Sequence, residues 1–212
     1  MGEIENSKVY TAIEDVKRGI PIIVVDDHDR ENEGDVLVAG EKANEKNLAF
    51  CMKHARGLMC LPCNEEILDR LKVPMMVQAS TDKLGTPFTV SIDATTTTTG
   101  MSVHDRLKTI SVLLDNNSTP HHLQMPGHLF PLKAKKNLLK ERRGHTESSI
   151  ELLRLAGLRE VGVIAEIIND DGTMAKGEDI KAFAKNHNLK IISVEEIYNA
   201  VHKEVIKISP FF

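Results

Sequence analysis

The chain has 212 residues, of which 41% are apolar and 27% charged, and its formal net charge is −4. These values are typical of a globular protein with its own core, and they disfavour a membrane span of roughly 20 apolar residues or a nucleic-acid partner, which usually requires a basic surface. The three cysteines and an acidic N-terminus without the apolar region of a secretory signal lead us to expect a cytoplasmic protein without disulfides.

Helical and strand patterns alternate through the first half of the chain. In order, they predict a helix over residues 7–18, strands at 20–25 and 36–39, a helix over about 44–54, a strand at 58–61 and a helix capped by Asn64. Residues 88–92 alternate weakly like a strand, and the five threonines at 95–99 predict a loop or a strand end. Ser102 and Asp105 form a predicted capping box for a helix over residues 103–114.

The second half of the chain has an irregular and a regular part. Residues 116–143 are rich in Pro, His, Asn and Lys and show no clear strand pattern. The regular part predicts, in order, a helix from 146 that ends at Gly157, a strand at 161–168, a turn at 169–172, a helix over 178–187, a strand at 190–192 and a helix capped by Ser193 and Glu196. We therefore expect one α/β domain over 1–212, a mixed β-sheet flanked by helices. Its core should cover about 7–203, followed by a short tail that either frays or docks on a partner subunit.

An acidic segment follows the first predicted strand and places six carboxylates in the ten residues 26–35. In a strand, carboxylates at alternate positions would share one face and repel one another, so we predict a loop. An EF-hand is excluded because Asn32 stands where the Ca²⁺ loop needs glycine and Val38 where it needs a carboxylate. Two interpretations stay open: a solvated acidic loop, or a Mg²⁺ site, which needs only one or two protein carboxylates.

A basic run precedes a predicted helix in the second half of the chain. Its members are Lys133, Lys135, Lys136, Lys140, Arg142 and Arg143. The segment Gly144-His145-Thr146-Glu147 follows, and a helix N-terminus with arginine and a threonine hydroxyl beside it is suited to bind phosphate. His145 either binds a metal there or caps the helix, and taken alone capping is the more common role.

Three further features are chemically ambiguous by themselves. His128 follows a Pro-Gly turn signal, so we expect its ring to project from a loop, where an ordinary surface histidine is the usual case. Glu166 interrupts the apolar run 161–168, which indicates a structural partner for the carboxylate, a position at the end of the strand, or an acid or base with a raised pKa. Cys60 and Cys63 have CxxC spacing, but no second thiol pair or histidine pair supports a zinc or redox site.

Five segments together resemble one known family. They are the acidic segment 26–35, Thr98-Thr99-Gly100-Met101-Ser102 with Asp105-Arg106, Pro126-Gly127-His128, Gly144-His145-Thr146-Glu147, and Glu166 with Asn169-Asp170-Asp171-Gly172. Their residues and their order resemble the signature of 3,4-dihydroxy-2-butanone 4-phosphate synthase, of the riboflavin pathway, over about residues 10–200. The acidic segment is highly specific by itself.

This resemblance implies a carbon-carbon lyase that converts D-ribulose 5-phosphate into 3,4-dihydroxy-2-butanone 4-phosphate and formate. It implies Mg²⁺ as the cofactor, with Mn²⁺ as a substitute, and a homodimer whose active sites lie at the subunit interface. By the same resemblance, Glu31 and His145 bind the metal, and His128 and Glu166 are catalytic. The substrate-binding residues that it implies are Arg30, Glu31, Asp35, Arg142, Arg143, Gly144, His145, Thr146 and Glu166. The segment 98–106 is expected to complete the site, either within the same chain or from the neighbouring subunit, and Cys60 is expected to lie near it.

The chain departs from the family pattern at two positions. His28 replaces an expected acidic residue, and Arg143 stands where a small residue is common. The chain as given also ends without the guanosine triphosphate cyclohydrolase II domain of bifunctional relatives, so the monofunctional form is expected. Two alternatives stay open. A metal-dependent phosphosugar isomerase or aldolase would use the same residues but release no formate, and a non-catalytic acidic binding module would tolerate the loss of Glu31 or His145 without a chemical effect.

Overall fold

The computed structural model describes residues 8–202, and its centre is a seven-stranded β-sheet. The strands are β1 (Ile22–Val25), β2 (Gly34–Ala39), β3 (Cys60–Cys63), β4 (Ile92–Ala94), β5 (Leu123–Lys133), β6 (Gly162–Glu166) and β7 (Ile191–Ser193). Their order across the sheet is β4-β5-β3-β6-β2-β1-β7. The β1–β7 and β3–β5 pairs are parallel and the others antiparallel, which confirms the predicted mixed sheet.

Helices cover both faces of the sheet, so the domain has three layers. They are α1 (Lys8–Lys17), α2 (Glu45–Phe50), α3 (Glu65–Arg70), α4 (Val103–Leu114), α5 (His145–Leu155), α6 (Glu178–His187) and α7 (Val194–His202). One core cluster joins a face of the sheet to α1, α5 and α7, and a second joins the opposite face to α2, α3, α4 and α6. Strand alternation explains this division, since Ile22 and Val24 belong to the first cluster and Ile23 to the second. The predicted α/β fold class is confirmed.

Side-chain caps fix where several helices begin. Asn64 accepts a hydrogen bond from the backbone N–H three residues later, at 3.0 Å, and α3 starts there. Ser193 and Glu196 cap α7 reciprocally at 2.9 and 3.0 Å, as predicted. Ser102 accepts from the Asp105 N–H at 3.1 Å, but the Asp105 carboxylate turns to the threonine loop instead. Only half of that predicted capping box forms.

The longest strand, β5, lies in the stretch that showed no clear strand pattern. Pro126 and Pro131 lack the N–H that a strand donates to its neighbour, and Gly127 weakens a strand, so the local signal indicates a turn. Tertiary pairing overrides this signal because β5 lies between β3 and β4, and any side chain at 127 would overlap the backbone of Ile92. His128 therefore lies within a strand, and the expectation that it projects from a loop is wrong.

Two other predicted elements differ in extent. The strand expected at 88–92 is reduced to isolated bridges, and the regular strand β4 starts only at Ile92. The helix expected over 44–54 ends early as an α-helix and continues as a π-helical turn, Cys51–Ala55, which closes at Arg56 with a φ of 74°. Such turns occur frequently at functional sites, and this one leads directly to the segment beside the cavities described below.

One end of the sheet gathers the chemically interesting side chains. Strands β1 and β6 finish at this end, and their antiparallel neighbours β2 and β3 begin there. The first turn of α5 meets the same end, because His145 shares a cavity there with Asp35, Cys60 and Glu166. None of the helices between residues 8 and 202 has the length and apolar character needed to cross a bilayer. The predicted tail at 209–212 lies outside the described residues.

Candidate active site

Asp26 shapes the acidic loop that joins β1 to β2. Its buried carboxylate accepts hydrogen bonds from the backbone N–H groups of Glu31 and Glu33, both at 3.0 Å, and from the Arg30 guanidinium at 2.8 Å. These three donors fold the chain back, and only the tip is left in solvent, where the Asp29 side chain is fully exposed. The prediction of a loop is confirmed. The sequence pattern did not distinguish Asp26 from the neighbouring acids, because its role depends on backbone donors that appear only once the loop is folded.

Glu31 and His145 meet in a cavity of about 150 Å³ at the base of this loop. The Glu31 Oε2 atom lies 3.6 Å from Nδ1 of His145, which in turn lies 3.9 Å from Asp35 Oδ1. Single ligand atoms of Asp26, Glu31 and His145 lie within 4.8 Å of one another, close enough to share a cation. Burial opposes protonation of His145, but the charges of Asp35, Glu31 and Asp26 outweigh it and raise its pKa to about 9. This acidic environment attracts positive charge.

Asp35 and Glu166 form a second carboxyl pair in the same cavity. They stand directly opposite each other on the antiparallel strands β2 and β6. Burial raises the pKa of Asp35 to about 6, and burial together with the charge of Asp35 raises the pKa of Glu166 to about 7. Asp35 Oδ1 and Glu166 Oε2 have no hydrogen-bond partner among the described residues. Two such carboxyl groups can hold and release protons near neutral pH.

Arg30, Arg142 and Thr146 bring anion-binding groups to this cavity. The side chains of Arg30 and Arg142 are only 16% and 12% exposed, and Thr146 is buried in the first turn of α5. Gly144 precedes that turn, and a Cβ atom at this position would overlap the Arg142 guanidinium and lie 3.2 Å from that of Arg30. A helix N-terminus with two guanidinium groups beside it is suited to a phosphate.

Arg143 points elsewhere. Its guanidinium carbon lies 3.9 Å from the ring centroid of Tyr198 in α7, in a cation–π contact. It does not line the cavity that Arg142 lines. Substrate contact by Arg143 therefore stays a prediction from the resemblance, while the stacking gives this unusual arginine a structural role.

His128 lines a different cavity, of about 210 Å³, together with Arg106 and the segment 57–59. Its Nδ1 atom lies 2.6 Å from Oδ2 of Asp93, and its backbone N–H donates to Oδ1 of the same carboxylate at 3.0 Å. The Asp93 carboxylate, which is 1% exposed, favours the tautomer with the hydrogen on Nδ1, so Nε2 is the ring nitrogen that Asp93 does not contact. Sequence reasoning missed Asp93, although an acid in the middle of the short apolar strand Ile92–Ala94 was a usable signal.

Asp105 fixes the threonine loop beside His128. Its carboxylate accepts from the N–H and the hydroxyl of Thr98, at 3.1 and 2.7 Å, and from the Gly100 N–H at 3.2 Å. A Cβ atom at Gly100 would overlap both Asp93 and the His128 ring, so glycine permits this close approach. The predicted segment 98–106 therefore adjoins His128 and not the Glu31 cavity.

The two cavities are neighbours. Gly57 lines the cavity of His128, and its N–H donates at 3.0 Å to the carbonyl of Glu166, which lines the cavity of Glu31 and His145. Within one chain, however, the structure does not bring His128 into the cavity of the other predicted residues.

All three cysteines are buried free thiols. Cys60 lines the Glu31 cavity, as the resemblance led us to expect, whereas Cys63 belongs to the core on the opposite face of the sheet. Burial raises the pKa of both thiols. The CxxC spacing therefore produces neither a chelating pair nor a reactive thiolate.

The donor set of the Glu31 cavity fits a hard divalent cation. Carboxylate oxygens predominate, and Mg²⁺ needs only one or two protein ligands because water and substrate oxygens complete its octahedron. Like Asp35 Oδ1 and Glu166 Oε2, the Nε2 atom of His145 is buried and has no hydrogen-bond partner within residues 8–202. Unsatisfied buried polar atoms of this kind indicate that the cavity is built to receive a further group.

Comparison with known proteins agrees with this geometry. The family model for 3,4-dihydroxy-2-butanone 4-phosphate synthase matches residues 10–200. The chain is 50% identical over 189 residues to the riboflavin biosynthesis protein RibBA of Staphylococcus epidermidis, covering 89% of this chain but 48%, about half, of that protein. It is 44% identical over 202 residues to the 3,4-dihydroxy-2-butanone 4-phosphate synthase of Agrobacterium fabrum, covering 95% of each. A solved structure of such a synthase in complex with two magnesium ions superposes with a TM-score of 0.87 at 39% identity, covering 93% of this chain and 98% of that one. The chain therefore belongs to the 3,4-dihydroxy-2-butanone 4-phosphate synthase family.

Proposed function

We propose that this chain converts D-ribulose 5-phosphate into 3,4-dihydroxy-2-butanone 4-phosphate and formate, with Mg²⁺ as cofactor, as a step of riboflavin biosynthesis in the cytoplasm. One observation supports this most strongly: a single cavity combines a carboxylate–imidazole pair, two carboxyl groups with raised pKa values, and two arginines at a helix start. The reaction needs a group of each kind, for the metal, the protons and the phosphate. Family membership supports the same assignment.

Glu31 and His145 would hold the metal ion. Their ligand atoms lie within the 4.8 Å cluster, and the remaining coordination positions are left for water and substrate. When bound, Mg²⁺ supplies positive charge against the negative charge that develops on the sugar oxygens. Mn²⁺ should substitute, because it prefers similar oxygen-rich ligands.

Asp35 and Glu166 would move the protons. The reaction must enolise a ketose, expel a hydroxyl group, migrate a carbon and release formate, so protons are removed and returned several times. A group does this best when its pKa is near the working pH, and the values of about 6 and 7 for these carboxyl groups meet that condition. Asp35 Oδ1 and Glu166 Oε2, which are unpaired within the described chain, are the atoms that would hold the proton.

Arg30, Arg142 and Thr146 would bind the phosphate end. Both guanidinium groups are largely buried, so their attraction for a phosphate is weakly screened by solvent. The N-terminus of α5 adds the positive end of the helix dipole and free backbone N–H groups. A phosphate held here would leave the sugar within reach of Glu31 and His145, which line the same cavity.

His128 would act through a homodimer. Its cavity lies outside the Glu31 cavity and is lined by the apolar side chains of Met52 and Leu58, which are 38% and 46% exposed. Met101, which is 48% exposed, contacts Arg106 at the same cavity. Exposed apolar surface of this kind is typical of a protein interface. We propose that a second subunit covers this surface and that the assembled interface brings His128 to the substrate.

The test is formate release by the purified protein. Wild type with ribulose 5-phosphate and Mg²⁺ should release formate, and chelation with EDTA should stop it. Glu31→Gln and His145→Ala should each reduce the rate by at least about 10²-fold, whereas Asp29→Asn, in the exposed tip of the same loop, should retain it.

Three results would contradict parts of this proposal. Absence of formate from wild type would reject the synthase activity, and consumption of ribulose 5-phosphate without formate would favour an isomerase or aldolase. Formate release that survives both Glu31→Gln and His145→Ala would reject the metal ligands.

A further inference from the structure

Glu147 is a fully buried carboxylate with no part in the steps above. It lies in the first turn of α5, two residues after His145, and its side chain is 0% exposed. Its Oε2 atom accepts a hydrogen bond from Arg142 Nη1 at 2.7 Å, and its Oε1 atom accepts one from the backbone N–H of Lys135 at 3.3 Å. A carboxylate out of water is strongly unfavourable unless it is paired and hydrogen-bonded. Both oxygens of Glu147 are directed to the basic run that precedes α5.

Arg142 is held at all three of its guanidinium nitrogens. Besides Nη1 on Glu147, Nε donates to the Leu84 carbonyl at 3.2 Å and Nη2 to the Thr86 hydroxyl at 3.3 Å. A guanidinium has five N–H donors in a planar fork, so these three contacts fix its plane and leave further N–H groups for a ligand. Only the Glu147 contact joins opposite charges, and it is the shortest of the three.

The backbone leaves space for this arrangement. A Cβ atom at Gly144 would overlap Arg142 Nη1, so glycine is the residue that allows the guanidinium to lie against the start of α5. The Arg30 guanidinium approaches the same point, 3.2 Å from that Cβ position. Two cations that converge on a helix N-terminus repel each other and the helix dipole, and the buried negative charge of Glu147 offsets this repulsion.

We propose that Glu147 is a positioning residue for phosphate recognition: it holds the Arg142 guanidinium in the plane that meets the phosphate end of the substrate. This rests on the proposed function for the identity of the substrate, but the contact geometry concerns any phosphate in the cavity. In the segment Gly144-His145-Thr146-Glu147, the glycine leaves space for the Arg142 guanidinium and the threonine lines the cavity that would hold the phosphate. The glutamate fixes the orientation of the guanidinium through its hydrogen bond to Nη1.

The test compares Glu147→Gln with Glu151→Gln. Glu151 lies one turn later in α5 and is also buried, but the structure shows no contact between it and Arg142, so the variant controls for the loss of a buried charge from the same helix. In Glu147→Gln, the KM for ribulose 5-phosphate should rise about ten-fold, as for the loss of one charge-assisted hydrogen bond, while kcat changes less than about three-fold. The dissociation constant of inorganic phosphate, measured by calorimetry, should rise by a similar factor. Glu151→Gln should match wild type in both.

A double-mutant cycle separates positioning from a merely structural role. Once Arg142→Ala has removed the guanidinium, adding Glu147→Gln should change the KM and the phosphate affinity by less than about two-fold. Additive effects of the two substitutions would overturn the proposal, and so would wild-type KM and phosphate affinity in a folded Glu147→Gln variant.

A second variant covers the case in which Glu147→Gln does not fold. Thr86→Val removes the hydroxyl that Arg142 Nη2 meets, which also contacts the carboxylate of Asp82, and should weaken phosphate binding in the same direction by a smaller factor, about three-fold. Failure of Glu147→Gln to fold together with unchanged phosphate binding in Thr86→Val would overturn the proposal. Phosphate calorimetry needs no turnover, so absence of formate from wild type would reject the proposed function and leave this test valid.

Discussion

Replacing Glu166 with glutamine should stabilise the metal-free protein while it removes activity. Glu166 stands opposite Asp35, and burial together with that neighbour raises its pKa from the usual 4.5 to about 7. The folded protein therefore binds this proton more tightly than the unfolded chain does, so its stability falls as the pH rises from 4.5 to 7. At about 1.4 kcal/mol for each of the 2.5 pH units between the two values, the full loss is about 3.5 kcal/mol. Glutamine cannot ionise and avoids this loss.

Urea denaturation in EDTA between pH 4.5 and pH 8 measures the effect. The free energy of unfolding of Glu166→Gln should equal that of wild type near pH 4.5 and exceed it by about 3.5 kcal/mol at pH 8. Glu178→Gln, at an exposed helix position, gives the baseline for removing a carboxylate. Formate release by Glu166→Gln should fall by about 10²-fold or more. The difference in unfolding free energy between Glu166→Gln and wild type should therefore grow with pH. If it is independent of pH, or if wild type becomes the more stable protein as the pH rises, burial does not raise the pKa of Glu166.

Three further predictions follow from single contacts. Asp93→Asn should lower the kcat for formate release by about 10²-fold, because an amide no longer fixes His128 Nδ1 as the donor. The affinity for Mg²⁺, measured by calorimetry, should change little. An equal loss of Mg²⁺ affinity would indicate a general defect of the variant instead. Gly144→Ala should raise the KM for ribulose 5-phosphate about ten-fold by displacing Arg142, and an unchanged KM would contradict that placement. Ellman's reagent should modify no cysteine within minutes in the folded protein and all three in guanidinium chloride, whereas rapid modification of the native protein would contradict their burial.

Local signals predicted the elements whose ends are set by local chemistry. Helices α3, α4 and α7 begin where Asn64, Ser102 and Ser193 provide caps, since a capping side chain and its N–H donor are only three residues apart. Strand β5 escaped prediction because its prolines and glycine conflict with strand propensity, and only its position between β3 and β4 makes it a strand. The strand predicted at 88–92 was wrong for the converse reason. The alternating pattern is present there, but the segment forms only isolated bridges and pairs with no continuous strand.

The site divided in the same way. The residues alone did not decide whether the acidic loop or His145 binds a metal. Glu31 and His145 are far apart in the sequence, and no local pattern shows that they meet. Only the resemblance to the family paired them as metal ligands. Asp93 and Glu147 went unnoticed as functional candidates because each acts through one tertiary contact, with His128 and Arg142 respectively. A residue that acts by positioning another residue is difficult to recognise in a single sequence, because the contact between them forms only in the folded chain.

The acidic loop shows how so many carboxylates fold in one place. Asp29 stays in solvent, and Asp26 is satisfied by Arg30 and two backbone N–H groups. Glu31 lies between the Arg30 guanidinium, at 2.8 Å, and the His145 ring, while burial raises the pKa of Asp35 to about 6. Arg30 and His145 offset part of this negative charge, but not all of it, because burial and the charges of Glu31, Glu166 and Asp26 still raise the pKa of Glu33. A divalent cation held by Glu31 and His145 would offset the negative charge that remains, which is the physical reason to expect a metal at the base of this loop.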